Sequence, residues 1–176
     1  MIRRVFLGYG LMLLGFGRWA WAQIAEPSLR YAPLSHPIRI PLDTVSTPWQ
    51  PALFTAEAMA PATAKTTTRR VLISGVVLRR PEPASEPLSA LCLTCPHEQC
   101  KVDLITDLTR LAKLTGGTVT HPLFECGCHA SVFDPLQNGA RVSGETPRGL
   151  YRFRISGISD GIVEINEVEE IALFEV

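Results

Sequence analysis

Hydrophobic and polar positions change rhythm several times along the chain, and each change predicts an element. "PIRIPL" (37–42) alternates and reads as a short strand. "RRVLISGVVL" (69–78) is rich in β-branched residues and reads as a longer strand, and "LSALCLT" (88–94) as another that runs directly into a turn at Pro96. From Lys101 to Leu114 the period changes. Val102, Ile105, Leu108 and Leu111 recur every third residue, Ala112 extends the stripe, and Gly116 and Gly117 follow, which predicts an amphipathic helix with a glycine stop. "TVTHPLFE" (118–125) returns to strand, and "LYRFRISG", "GIVEIN" and "EEIALFEV" predict a closing series of short strands with glycine at the turns. Residues from Gln23 to about His36 carry proline without an apolar period and read as an extended lead-in outside the core; "TAEAMAPATAKTTT" (55–68) reads as a long loop. The sum is a mainly antiparallel β fold with one helical insert: a segment 1–22, a lead-in with first strands over 23–68, and the principal domain over 69–176.

The first 22 residues carry a pattern of their own. A basic start, an apolar run from Val5 to Gly17 and the small-x-small triplet Ala20-Trp21-Ala22 predict a signal for export. The run is stopped by Arg18 and is shorter than the roughly 20 residues a spanning helix needs, so a cleaved signal is favoured, with a retained N-terminal anchor as the alternative. Arg3 and Arg4, followed by Val5, Phe6 and Leu7, resemble a twin-arginine motif, whose pathway moves proteins already folded around a cofactor. The expected location is the periplasmic side of a bacterial inner membrane. Composition changes this picture little: 176 residues, 46% hydrophobic and 19% charged, suit one domain with a real core. Seventeen basic residues balance seventeen acidic ones with no basic patch, which excludes a nucleic-acid footprint.

Candidate chemistry is concentrated in "CPHEQC" (95–100) and "CGCHAS" (126–131), which hold four of the five cysteines and two of the four histidines. Three chemistries compete: a structural zinc, a disulfide framework and a redox metal centre. A four-thiolate zinc site from Cys92, Cys95, Cys126 and Cys128 fits poorly, because one residue between the last two is too few for a zinc knuckle and Cys92 lies inside an apolar strand. Disulfides alone leave unexplained why His97 stands two residues after Cys95 and His129 three after Cys126. His36 and His121 have no cysteine partner at such spacing and read as packing or solvent residues.

The pair CxH and CxxH, Cys95-x-His97 and Cys126-x-x-His129, resembles the signature of the Rieske 2Fe-2S family, in which each loop supplies one cysteine and one histidine. The similarity extends through "SVFDP", a glycine turn at Gly139 and "GETPRGL", and covers roughly residues 70–176, with the cluster loops within about 90–148. It implies stacked sheets, a small cluster-binding subdomain and one 2Fe-2S cluster held by Cys95, His97, Cys126 and His129. Members of the high-potential group carry a further cysteine in each loop. The resemblance therefore implies a disulfide between Cys100 and Cys128, leaves Cys92 as a buried strand thiol, and gives Ser131 the role of a hydroxyl bonded to a bridging sulfide.

Two machines of the family fit such a chain, and the disulfide pair and the potential class favour the first, with the second as the alternative. One is a quinol:cytochrome c oxidoreductase of the cytochrome bc type, in which this subunit takes an electron from quinol with proton coupling at His129 and works beside cytochrome b and c type subunits. The other is a periplasmic molybdenum enzyme such as arsenite oxidase, with this chain as the small subunit beside a large molybdopterin subunit. The chain departs from quinol-oxidising members at Glu98 and Gln99, where they carry an apolar residue and a glycine, and at Phe133, where many carry a tyrosine bonded to a ligand sulfur. The insert from Lys101 to Leu114 is also longer than the family's usual spacer.

Overall fold

The computed structural model describes residues 29–82 and 86–175; the export signal expected over 1–22, with Arg3 and Arg4, lies outside them. Among the described residues ten strands follow one another: β1 (Tyr31–Pro41), β2 (Pro51–Ala60), β3 (Arg69–Arg79), β4 (Leu88–Cys92), β5 (Val102–Ile105), β6 (Leu123–Cys126), β7 (Val132–Asp134), β8 (Ala140–Ser143), β9 (Phe153–Ser159) and β10 (Ile162–Glu169). They form a six-stranded sheet in the order β4-β3-β2-β1-β10-β9 and a four-stranded sheet in the order β5-β6-β7-β8. Every pairing between these strands is antiparallel, as the alternation predicted. The two edges of the large sheet approach each other where Leu91 bridges to Arg152 and Cys92 N–H donates to the Tyr151 carbonyl (2.8 Å).

Two packed layers explain where the metal loops sit. One core is built on the large sheet, with Ile40, Ala56, Ile73, Val77 and Ile165. A second lies between the sheets, where Val76, Leu78 and Leu91 meet Val102, Phe124 and Phe133. Strand β3 serves both, so Val76, Val77 and Leu78 are buried in succession instead of alternating. Each fully buried apolar side chain of this kind contributes about 1.5–3 kcal/mol relative to exposure. The inter-sheet core therefore fixes the small sheet, and with it the loops at its end, against the large one.

Four sequence expectations are corrected. The lead-in is not outside the core: Tyr31–Pro41 is a strand paired with β10 and β2, and Leu34 is buried. Its prolines hid it, and they are accommodated because the register with β10 shifts between Pro33 and Ile38. Thr55–Ala60 is the second half of β2 rather than loop, since Ala56, Ala58 and Ala60 face inward and alanine gives a weak strand signal. The insert is helical only over α1 (Leu108–Thr115); Val102–Ile105 is strand β5, paired with β6. Leu104 of β5 packs into the inter-sheet core and Ile105 into a satellite cluster with Leu111 and Leu123, so apolar residues on both faces imitated a helical period. The last segment is a helical turn, α2 (Ala172–Glu175), whose Ala172 and Leu173 are buried against the large sheet.

Candidate metal centre

The first loop is closed before any metal is considered. Leu93 N–H donates to the Ser74 carbonyl (2.9 Å), Thr94 bridges to Lys101, and Cys95 N–H donates to the Cys100 carbonyl (2.9 Å). Gln99, with φ 59°, turns the chain back, its N–H donating to the Cys95 carbonyl (3.0 Å). The second loop is the β6–β7 connection. Cys126 N–H donates to the Ser131 carbonyl (2.9 Å) and Ala130 N–H to the Cys126 carbonyl (3.1 Å), with Ala130 at φ 51°. Left-handed backbone at a residue other than glycine costs on the order of 1–3 kcal/mol and persists only where the surroundings hold it.

What holds these two loops is a pairing and a covalent bond. Val102 lies opposite Cys126 in the β5–β6 ladder, which brings the loops side by side. The loops are joined by the Cys100–Cys128 disulfide, the pair the resemblance implied. Cys95 and Cys126 are thereby buried at the loop bases, while His97 and His129 stand exposed at the tips with ring centroids 5.0 Å apart. The Cys100 and Cys128 sulfurs lie within reach of Cys126, but bonded to each other they offer no thiolate. Cys92 belongs to the other core and is fully buried; burial pushes its thiol up, against hydrogen bonds from Thr94 that lower it.

The donor set fits a 2Fe-2S cluster. Burial is the main cause that raises the Cys95 thiol; backbone N–H groups of His97 and Glu98 act the other way, and the neighbouring Cys126 raises it further. A bound metal cation favours the thiolate form of a cysteine, and iron is such a cation. Ser131 supplies a second observation. Its Oγ is fully buried without a hydrogen-bond partner, a state that costs about 1–3 kcal/mol unless something accepts from it. Gly144 covers it at φ +98°; a Cβ there would stand 2.4 Å from Ser131 Cα and 2.5 Å from its Oγ. A bridging sulfide is an acceptor of the kind this hydroxyl lacks.

Surrounding residues resolve several sequence expectations. Glu98 points to water, 59% exposed, with its carboxylate 3.9 Å from His129 Nδ1. Phe133 is fully buried in the inter-sheet core that also holds Cys95 and Cys126, so an apolar ring lies on the protein side of the thiols. Helix α1 is capped by Asp107, which accepts from the N–H groups of Thr109 and Arg110, and by Gly116 in left-handed conformation. Arg110 then donates to Glu125 (2.7 Å), next to Cys126, tying the helix to β6. His36 is exposed; His121 stacks on Trp49 (centroids 5.6 Å apart) and its Nε2 is 3.0 Å from Asp134 Oδ1, so both stay outside the centre. Gly144 was not singled out from the sequence, where one glycine in "GETPRGL" carries no mark of the residue it covers.

Comparison with known proteins bears on the same region. The chain matches the family model described as Rieske [2Fe-2S] domain over residues 49–154, which includes both loops, the disulfide and Ser131. No curated protein matches it. With that match spanning more than half of its length, the chain belongs to the Rieske family, and its domain binds a 2Fe-2S cluster.

Proposed function

We propose that the protein is a high-potential Rieske subunit that carries electrons from quinol to a c-type cytochrome within a cytochrome bc type complex, on the periplasmic side of a bacterial inner membrane. The observation that carries this reading is the division of the site into a buried thiol pair and an exposed imidazole pair. In this assignment the cluster would be held by Cys95 and Cys126 from the buried side and by His97 and His129 from the exposed tip. When bound, such a cluster exchanges one electron at about −150 to +300 mV, against about −400 mV for all-thiolate clusters. The chain's own residues supply the rest. Neutral imidazoles at the tip leave the outer end less negative, and the surface position of His129 offers a short path to a partner. The ring nitrogen not engaged by iron is available to hydrogen-bond a quinol hydroxyl. The disulfide supports an oxidising compartment.

A second reading, the small subunit of a periplasmic molybdenum enzyme, is favoured by the polar tip: Glu98 stands exposed beside His129, Gln99 next to it in the chain is also exposed, and both suit a protein partner better than an apolar quinol. Purification of the tagged full chain from its native membranes and soluble fraction separates the two. Co-purifying subunits with b and c haem spectra are expected; stoichiometric molybdenum without b haem would sink the bc reading in favour of the other. Ser131→Ala tests the tuning of the centre in either machine. A hydrogen bond to a charged group is worth about 1.5–3 kcal/mol, or at most about 65–130 mV for a one-electron couple. The variant is expected to titrate tens of millivolts lower by EPR, and an unchanged potential would remove Ser131 from the site.

A further inference from the structure

Glu169 ends β10 in the large sheet, beyond the residues that match the family model, and is 1% exposed. A buried carboxylate needs partners, and among the described residues it meets the Arg148 guanidinium, the Arg152 N–H (3.2 Å) and Arg152 Nε (3.7 Å). Arg148 belongs to the segment 144–149 that covers Ser131. Its guanidinium also lies 4.6 Å from the centre of the Tyr151 ring and donates through Nε to the Gly149 carbonyl (3.2 Å). From Arg148 the connections run back along the segment. Thr146, fully buried, donates to the Arg148 carbonyl (3.0 Å), and Arg141 donates to the carbonyls of Thr146 (2.8 Å) and Gly144 (3.4 Å). At the far end Gly144 lies against Ser131, so close that a Cβ on it would stand 2.5 Å from the hydroxyl oxygen.

We propose that the Arg148–Glu169 ion pair is a positioning device: it holds residues 144–149 down on Ser131, and through that hydroxyl it sets the reduction potential of the centre. The proposal rests on the electron-transfer reading above. A buried ion pair adds little net stability compared with apolar residues of the same size, but it demands one geometry. Here that geometry links the large sheet to a segment that has no strand of its own between β8 and β9. Arg148 acts through Ser131 and does not touch the cluster ligands.

Arg148→Gln is the first variant, because Arg148 is 29% exposed and its loss leaves Glu169 bonded to the Arg152 N–H. EPR-monitored redox titration of the holoprotein should show a lowered potential, by about half or more of the Ser131→Ala decrease. In a Ser131→Ala background the Arg148→Gln shift should vanish, as coupling through one group requires. Amide hydrogen exchange should quicken across 144–149, and Arg148→Lys, the milder change, should restore part of the potential. If Arg148→Gln does not retain the cluster, the Lys variant is judged by the same two titrations. Lower thermal stability at unchanged potential would reduce the pair to a structural clamp and overturn the proposal, as would an equal shift without the serine. Failure of the underlying reading looks different: the wild-type protein itself would then lack a Rieske EPR signal.

Discussion

Replacing Cys126 by alanine is expected to abolish the cluster while leaving a folded β domain. The ligand set assigned here divides between two irons, and three ligands cannot complete both, so iron and acid-labile sulfide should fall to near zero and the Rieske EPR signal should disappear. The fold should survive because both loops are closed by their own hydrogen bonds: Cys95 N–H to the Cys100 carbonyl, Ala130 N–H to the Cys126 carbonyl and Cys126 N–H to the Ser131 carbonyl are made by backbone that alanine retains. His129→Ala should lose the cluster equally and disturb stability less, since His129 is exposed at the tip whereas Cys126 is 2% exposed in the inter-sheet core. Circular dichroism with metal analysis separates the outcomes. A Rieske signal of normal intensity in Cys126→Ala would refute the assignment; zinc without iron in wild-type protein grown with ample iron would refute the cluster itself.

Loss of the disulfide should have the largest effect on stability. Cys100 and Cys128 are 28 residues apart in sequence, and a cross-link closing a loop of that length stabilises by about 3–4 kcal/mol on the chain-entropy account. For a domain of this size that corresponds to a melting temperature lower by about 10 °C. The Cys100→Ser, Cys128→Ser double variant should also lose cluster more readily, because the bond is the one covalent tie seen between the two loops among the described residues. Dithiothreitol should lower the melting temperature of wild-type protein toward that of the double variant and leave the variant unchanged. A wild-type melting temperature insensitive to reduction under denaturing-competent conditions would contradict this. Mass spectrometry of unreduced digests should show the same cross-link, and Cys92, in the other core, should appear as a free thiol.

By itself the sequence determined the chemistry. Two cysteine–histidine spacings named Cys95, His97, Cys126 and His129 as candidate ligands, because ligand spacing is a local property of a turn that survives in one dimension, and the family resemblance that those spacings carry implied the Cys100–Cys128 pair. It also determined the β class, since β3 carries Val71, Ile73, Val76 and Val77 and the closing segments of β9 and β10 alternate. Tertiary structure decided what depends on partners distant in sequence. Residues 31–41 and 55–60 became strands because β10 and β3 lay ready to pair with them, despite prolines and alanines that weaken any local signal. Val102–Ile105 became strand rather than helix because β6 offered a ladder and both of its faces found apolar cover. The surroundings of the site were decided in the same way. Gly144 over Ser131, Arg110 on Glu125 and Arg148 on Glu169 join positions 13 to 21 residues apart, and nothing in a one-dimensional pattern marks which glycine or which arginine will meet which partner until packing brings them together.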